Sequence, residues 1–400
     1  MPPNVADPHP TPDCPIDDVS GVVVKVGTRV LTDANGRLDV HRVQCIANGL
    51  AAIAATGRQT VLVSSGAVGA GIGHLWDAGV LDSSQRPSGL AMIQALAAIG
   101  QTDLIRCYQN ALQKHGRVAA QVLLTAQDLR RRNAYLHVRN TLWKIHELGA
   151  IAIVNENDSV SVDELKSTFG DNDSLAANVA GLMPRALLII LSDVDGLYDI
   201  SDPTQIDAAR QSGNRPRVIR RVEKIDESVW SRVRDATGGL SKGGMSSKIR
   251  AAESATADGH ATIIAPGHDD NALQKILRGE SIGTLFLPRQ SVRRGRRRWI
   301  GSVADVQGHL TLDEGAVRAV KEKDSSLLAI GIRGVEGVFD TGAVVALRDL
   351  EGKILARGLT NYPSQEIELI QGQPSDAIAE ILGHRPYEVV VHRDHLVLTR

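Results

Sequence analysis

Five short apolar runs, each closing on small or polar residues, set the strongest limit on what this chain can fold into. Residues 22–26, 61–63, 150–154, 187–191 and 261–265 are built of valine, isoleucine, leucine and alanine, broken only by Lys25 and Thr262. They end at Gly27, Ser64-Ser65-Gly66, Asn155-Glu156-Asn157-Asp158, Ser192-Asp193 and Pro266-Gly267. Apolar runs without alternation belong to strands buried on both faces, the mark of a parallel sheet. Residues 41–56 and 89–115 carry apolar positions at helical spacing. The expected fold class is α/β, a mostly parallel sheet sandwiched by helices. Ligands of such sheets sit at the carboxyl ends of the strands, and this chain gathers its polar residues there.

At 400 residues the chain exceeds what one core organises, which predicts two domains. The pattern changes near Pro288. Arg293, Arg294, Arg296, Arg297 and Arg298 crowd around Gly295, and residues 331–335, 344–348 and 354–358 then read as short strands between glycine turns. The expected division is a disordered, proline-rich tail over 1–18, the α/β domain over 19–288 and an arginine-rich linker over 289–298. A small β-rich domain over 299–385 and a C-terminal segment over 386–400 follow.

Composition removes several function classes. Lys and Arg number 45 against 46 Asp and Glu, a net charge of −1, so the chain is not built to coat nucleic acid or anionic lipid. Aromatics at 3% disfavour a base-stacking surface, and the five arginines read as a solvated linker. Cys14, Cys45 and Cys107 are scattered without CxxC spacing, which suits a reducing compartment. The N-terminus has no apolar signal region, and no run nears the ~20 residues that span a bilayer. The expected location is the cytoplasm.

The candidate chemistry lies at the strand ends. There is no GxxxxGK[ST], and Gly66-Ala67-Val68-Gly69-Ala70-Gly71 breaks the GxGxxG spacing. Lys25, inside an apolar strand, either snorkels to solvent or meets an anion. Ser65 and Gly66 open a helix, where backbone N–H groups bind anions or a serine simply caps. Asn155-Glu156-Asn157-Asp158 and Gly170-Asp171-Asn172-Asp173 pair amides with carboxylates, which suits a substrate bearing an ammonium group, with a metal site as the rival. Gly243-Gly244-Met245-Ser246-Ser247-Lys248 has a phosphate-cradling composition without Walker spacing.

In their order and separations VVVKVGT, SSGAVGAG, NENDSV, FGDND, LSDVDGLY and KGGMSSK resemble the glutamate 5-kinases of the amino-acid kinase superfamily. The segments RRRWIGSV, SSLLAIGI, VEGVF and ARGLTNY resemble the PUA domain that many of them carry. The resemblance implies ATP- and Mg²⁺-dependent phosphorylation of the L-glutamate γ-carboxylate, the first step towards proline, with proline as feedback inhibitor. It further implies a homo-oligomer and hand-off of product to glutamyl-phosphate reductase. RNA and membranes are not among the expected partners. By the same resemblance Lys25 and Lys248, with the Gly66 N–H, act on the transferring phosphoryl group, and Asp171 or Asp173 orients a lysine or the metal. Ser65, Asp158 and Asn172 hold glutamate. Ser192, Asp193, Lys242, Gly243, Gly244, Met245, Ser246 and Ser247 line the nucleotide site together with the two lysines. Three features depart from the family pattern: Lys242 for threonine, Ser192 for threonine, and a longer link from Lys166 to Gly170.

Overall fold

The computed structural model describes residues 16, 18–33, 36–82, 87–160, 172–200, 216–233, 244–289, 299–322 and 325–399. It falls into two compact units. The first gathers Met1–Asp128 and Leu136–Val292, the second Leu129–Tyr135 and Arg293–Arg400.

In chain order, the first unit contains β1 (Gly21–Val26), α1 (Val40–Ala55), β2 (Gln59–Ser64), α2 (Ala67–Asp77), α3 (Leu90–Gln113) and β3 (Ala119–Leu124). After α4 (Arg132–Glu147) come β4 (Ile151–Glu156), α5 (Asn172–Ala180), β5 (Ala186–Ser192), β6 (Arg221–Val222), α6 (Met245–Ala257), β7 (Ala261–Pro266), α7 (Ala272–Leu277) and β8 (Thr284–Phe286). The sheet order is β3-β4-β2-β1-β5-β7-β8-β6. All neighbours run parallel except β7 and β8, which pair antiparallel. The α/β reading of the sequence is therefore correct. Every residue of β1, β2, β4, β5 and β7 is buried, as unalternated apolar runs require.

Local chemistry fixes the helix ends. Asp39 caps α1 by accepting a hydrogen bond from Arg42 N at 3.1 Å. The chain leaves α1 through Gly57, at φ +80°. The core joins β1 and β5 to α1 and α3 through Val22, Val24, Leu50, Leu104 and Ile189, all fully buried. Ile16 also belongs to this core at 1% exposure, so the region assigned to a tail reaches the interior before residue 18. An isoleucine among prolines carried no periodicity to reveal that.

The second unit holds β9 (Gly308–Leu312), α8 (Glu314–Glu322), β10 (Ile332–Glu336), β11 (Val344–Arg348), β12 (Ile354–Thr360), α9 (Ser364–Ile370), α10 (Ile378–Leu382) and β13 (Val391–Leu398). Its sheet order is β10-β9-β11-β12-β13, with β9 and β11 parallel and the other neighbours antiparallel. The core is separate, built from Leu310, Val345, Leu347, Tyr362, Ile367 and Val391 among others. The final segment differs from its sequence reading: β13 is an edge strand of this sheet, not a piece apart. Val391, Leu396 and Val397 are buried there, while the polar stretch between them masked the strand.

The other difference concerns Leu129–Tyr135, which groups with the second unit although it lies inside the span read as 19–288. Trp299 Nε1 donates to the Leu129 carbonyl at 3.3 Å, and Arg130 pairs with Asp305 at 3.2 Å. The linker residues 290–298 lie outside the described residues.

Candidate active site

β1 and β5 are neighbours; the chain leaves β1 towards β2 on one side and leaves β5 towards β6 and β7 on the other, so the connections diverge at their carboxyl ends. That is where an open α/β sheet forms a ligand crevice. Lys25 stands one residue from the end of β1, in register with Val63 and Ile190. A lysine flanked by valines in a buried strand needs an anion within reach. The fold supplies one from the first turn of α5: Lys25 Nζ lies 2.6 Å from Asp173 Oδ1.

Asp173 is fully buried and holds more than one partner. Ser247 Oγ donates to its Oδ2 at 2.8 Å, and Lys248 Nζ lies 3.5 Å from the same oxygen. Ser247 Oγ is also 2.9 Å from the Gly244 carbonyl, where α6 begins. Burial alone would push the Asp173 carboxyl up. The Lys25 and Lys248 charges, with hydrogen bonds from Lys25 and Ser247, outweigh it and lower the group to about 2. Two ammonium groups from distant parts of the chain thus meet at one carboxylate.

Beside this cluster is a network of amides. Asn172 Nδ2 donates to the Ser64 carbonyl at 3.0 Å, to Ser65 Oγ at 2.9 Å and to Asn155 Oδ1 at 3.2 Å. Asn155 Nδ2 in turn donates to Gln101 Oε1 on α3 at 2.8 Å. The end of β2, the end of β4, α3 and the start of α5 are thereby tied at one place. Gly66 follows Ser65 at φ +101° and opens α2, a conformation that favours glycine. The first N–H groups of α2 lack intrahelical partners by geometry, which makes them anion donors. Asp158 is half-buried in the turn after β4.

The end of β5 carries a third group. Ser192 Oγ lies 3.2 Å from Asp193 Oδ1, and Arg29 Nη1 donates to Asp193 Oδ2 at 3.0 Å. Partial burial raises the Asp193 carboxyl, but Arg29 more than offsets this and holds it below its ordinary value. Met245 and Ser246 occupy the first turn of α6. Lys166, Gly170, Asp171, Lys242 and Gly243 lie outside the described residues. Of the two acids in GDND, Asp173 is the described one, and it contacts both lysines.

The model of the amino acid kinase family matches residues 20–266, and that of the PUA domain matches residues 308–382. A glutamate 5-kinase of Rhodopirellula baltica is 54% identical over 383 residues, covering 96% of this chain and 95% of its own. Another, from Caldanaerobacter subterraneus subsp. tengcongensis, is 41% identical over 377 residues, covering 94% of this chain and 97% of its own. This chain belongs to the glutamate 5-kinase family. Among solved structures, UMP kinase from Ureaplasma parvum covers 67% of this chain and 99% of its own at 12% identity, with a TM-score of 0.43.

Against this glutamate 5-kinase background, two residues near the site escaped the sequence reading. Gln101 is buried in α3 and orients Asn155; its only sequence signal is a polar residue on an otherwise apolar helical face. Arg29 pairs with Asp193 across 164 positions, which no local pattern reveals. No described helix is long and apolar enough to cross a membrane.

Proposed function

We propose that this chain transfers the γ-phosphoryl group of ATP to the side-chain carboxylate of L-glutamate, giving L-glutamyl 5-phosphate, the first step towards proline. The observation that carries this reading is the meeting of Lys25 and Lys248 at Asp173, beside the Asn172 amide network, at the carboxyl edge of the sheet. A glutamate carboxyl with an ordinary pKa of about 4.3 is already ionised at neutral pH, so no general base is needed. The difficulty is bringing that anion in line with a polyanionic nucleotide. Lys25, Lys248 and the Gly66 N–H are assigned to the transferring phosphoryl group, where positioned cations stabilise developing charge. Asp173 positions both lysines.

Ser65, Asp158 and Asn172 are assigned to glutamate, with Asp158 facing its ammonium group. Ser192, Asp193, Lys242 and Gly243 through Ser247 are assigned to the nucleotide. Both oxygens of Asp173 are engaged, by Lys25 and by Ser247, which supports its assignment to holding the two lysines. Mg²⁺ belongs to this reading as the ion carried on the nucleotide phosphates, whose charge it screens. Proline, with the same α-carboxylate and a cationic nitrogen, is assigned to the glutamate pocket as an inhibitor.

The test is hydroxamate trapping with purified full-length protein. Hydroxylamine captures an acyl phosphate, so γ-glutamyl hydroxamate should form only with ATP, Mg²⁺ and L-glutamate together. Aspartate, N-acetylglutamate and UMP should be poor acceptors. Equal turnover of N-acetylglutamate would overturn the role of Asp158, since that substrate has no ammonium group.

A further inference from the structure

We propose that His41, Cys45 and Asp270 form a binding site for a zinc-class divalent ion on the surface of the α/β unit. None of the three belongs to the residues assigned above to phosphoryl transfer. Among the described residues they are the one group of three His, Cys, Asp or Glu side chains whose ligand atoms lie within 4.8 Å of one another. His41 and Cys45 are four apart in α1 and so share one face of the helix. Asp270 comes from the loop that follows β7.

The separations fit a tetrahedral site. His41 Nε2 is 3.1 Å from Asp270 Oδ2, and Cys45 Sγ is 3.5 Å from His41 Nε2. Zinc bonds of ~2.0–2.1 Å to nitrogen, ~2.0–2.2 Å to oxygen and ~2.3 Å to sulfur give tetrahedral edges of about 3.4 Å and about 3.6 Å for those pairs. Those two edges need shifts of only a few tenths of an ångström to admit an ion, and all three ligand atoms lie within 4.8 Å of one another. The carboxylate is already oriented. Arg42 Nη1 takes Asp270 Oδ1, and the same nitrogen donates to the His268 carbonyl at 2.7 Å, which leaves Oδ2 turned to His41. Outer partners of that kind fix ligand geometry in metal sites.

The donor set selects the ion. Thiolate with imidazole suits zinc, whereas magnesium and calcium take oxygen ligands. The His41 and Asp270 side chains are 68% and 43% exposed, so the ion has access and water can take the fourth position. Bound there, the ion would join α1 to the β7–α7 loop, across 225 positions from Cys45 to Asp270.

The test titrates the full-length protein with Co²⁺, whose thiolate-to-metal charge-transfer absorption reports a cysteine ligand. The wild type should saturate at one equivalent and lose the absorption when Zn²⁺ is added. Cys45→Ser should abolish it. His41→Ala and Asp270→Asn should weaken binding by about tenfold or more, and Cys107→Ser should change nothing. Zn²⁺ should raise the melting temperature of the wild type but not of Cys45→Ser or His41→Ala. Circular dichroism of each variant checks folding. Absence of a thiolate band, or its persistence in Cys45→Ser, would overturn the proposal and leave a hydrogen-bonded surface cluster.

Discussion

Lys25, Lys248 and Asp173 join the proposed phosphoryl site to the buried ion pairs of the fold at a single point. Replacing either lysine with alanine should lower kcat by about 10² or more while changing the KM for glutamate far less, because what is lost is charge stabilisation in the transition state. Asp158→Ala and Asn172→Ala should instead raise the KM for glutamate. Steady-state hydroxamate kinetics separates the two outcomes, and a Lys25→Ala variant altered only in glutamate affinity would refute its assignment. Initial rates at sub-saturating glutamate should fall across millimolar proline, and excess glutamate should restore them. The acid limb of stability carries the signature of Asp173. Its carboxyl is lowered in the folded state to about 2, against about 3.9 unfolded. Its contribution is therefore complete above about pH 4 and lost as pH falls towards 2. Asp173→Asn should flatten that limb in chemical melts followed by circular dichroism. It should also destabilise the protein at neutral pH by about 3–5 kcal/mol, because two lysines lose their buried partner.

At the scale of elements, the crossing of α2 and α3 places the Gly66 turn. A Cβ on Gly100 would fall 1.9 Å from the Ala67 carbonyl oxygen, and one on Gly71 would fall 2.0 Å from that of Leu96. The helices meet backbone to backbone, and Ala67 directly follows Gly66. Gly100→Ala should force them apart, costing about 1–3 kcal/mol as an overpacked contact does, and lower kcat by shifting the first turn of α2. Melting curves and the hydroxamate assay check both effects. Gly66→Ala should act otherwise: its Cβ would meet Leu31 Cδ1 at 3.4 Å, so its penalty lies in φ rather than in space. The strands that carry Lys25, Ser64, Asn155 and Ser192 were legible because buried parallel strands are continuous apolar runs. β3 was not, because it is an edge strand in which only Leu124 is buried, with Gln121 and Leu123 exposed. Lys25 and Lys248 were legible one at a time. Their convergence on Asp173 was not, since it spans 75 positions between Asp173 and Lys248 and depends on the crossover order of the sheet.

At the scale of the whole molecule, the two cores divide the labour. Every assigned ligand residue among the described residues lies in the unit whose core runs from Ile16 to Ile276, and the second core runs from Leu310 to Leu396. A chain ending at Arg289 keeps the contact between Arg289 and Glu253, at 3.3 Å, that closes the first unit onto α6. It should therefore fold and retain substantial glutamate kinase activity. The grouping of Leu129–Tyr135 with the second unit adds a specific consequence. Leu129 and Tyr135 are buried at 1% and 5% exposure, and truncation removes Trp299, which bonds the Leu129 carbonyl. The shortened protein should expose an apolar patch at the start of α4 and associate at high concentration. Leu129→Ser in the shortened chain should reduce that association without changing kcat, since neither residue is assigned to the site. Light scattering, circular dichroism and the hydroxamate assay on the truncation, the truncated Leu129→Ser variant and the full-length protein decide the matter. A truncation that folds but has no activity would mean that the second unit completes the catalytic site.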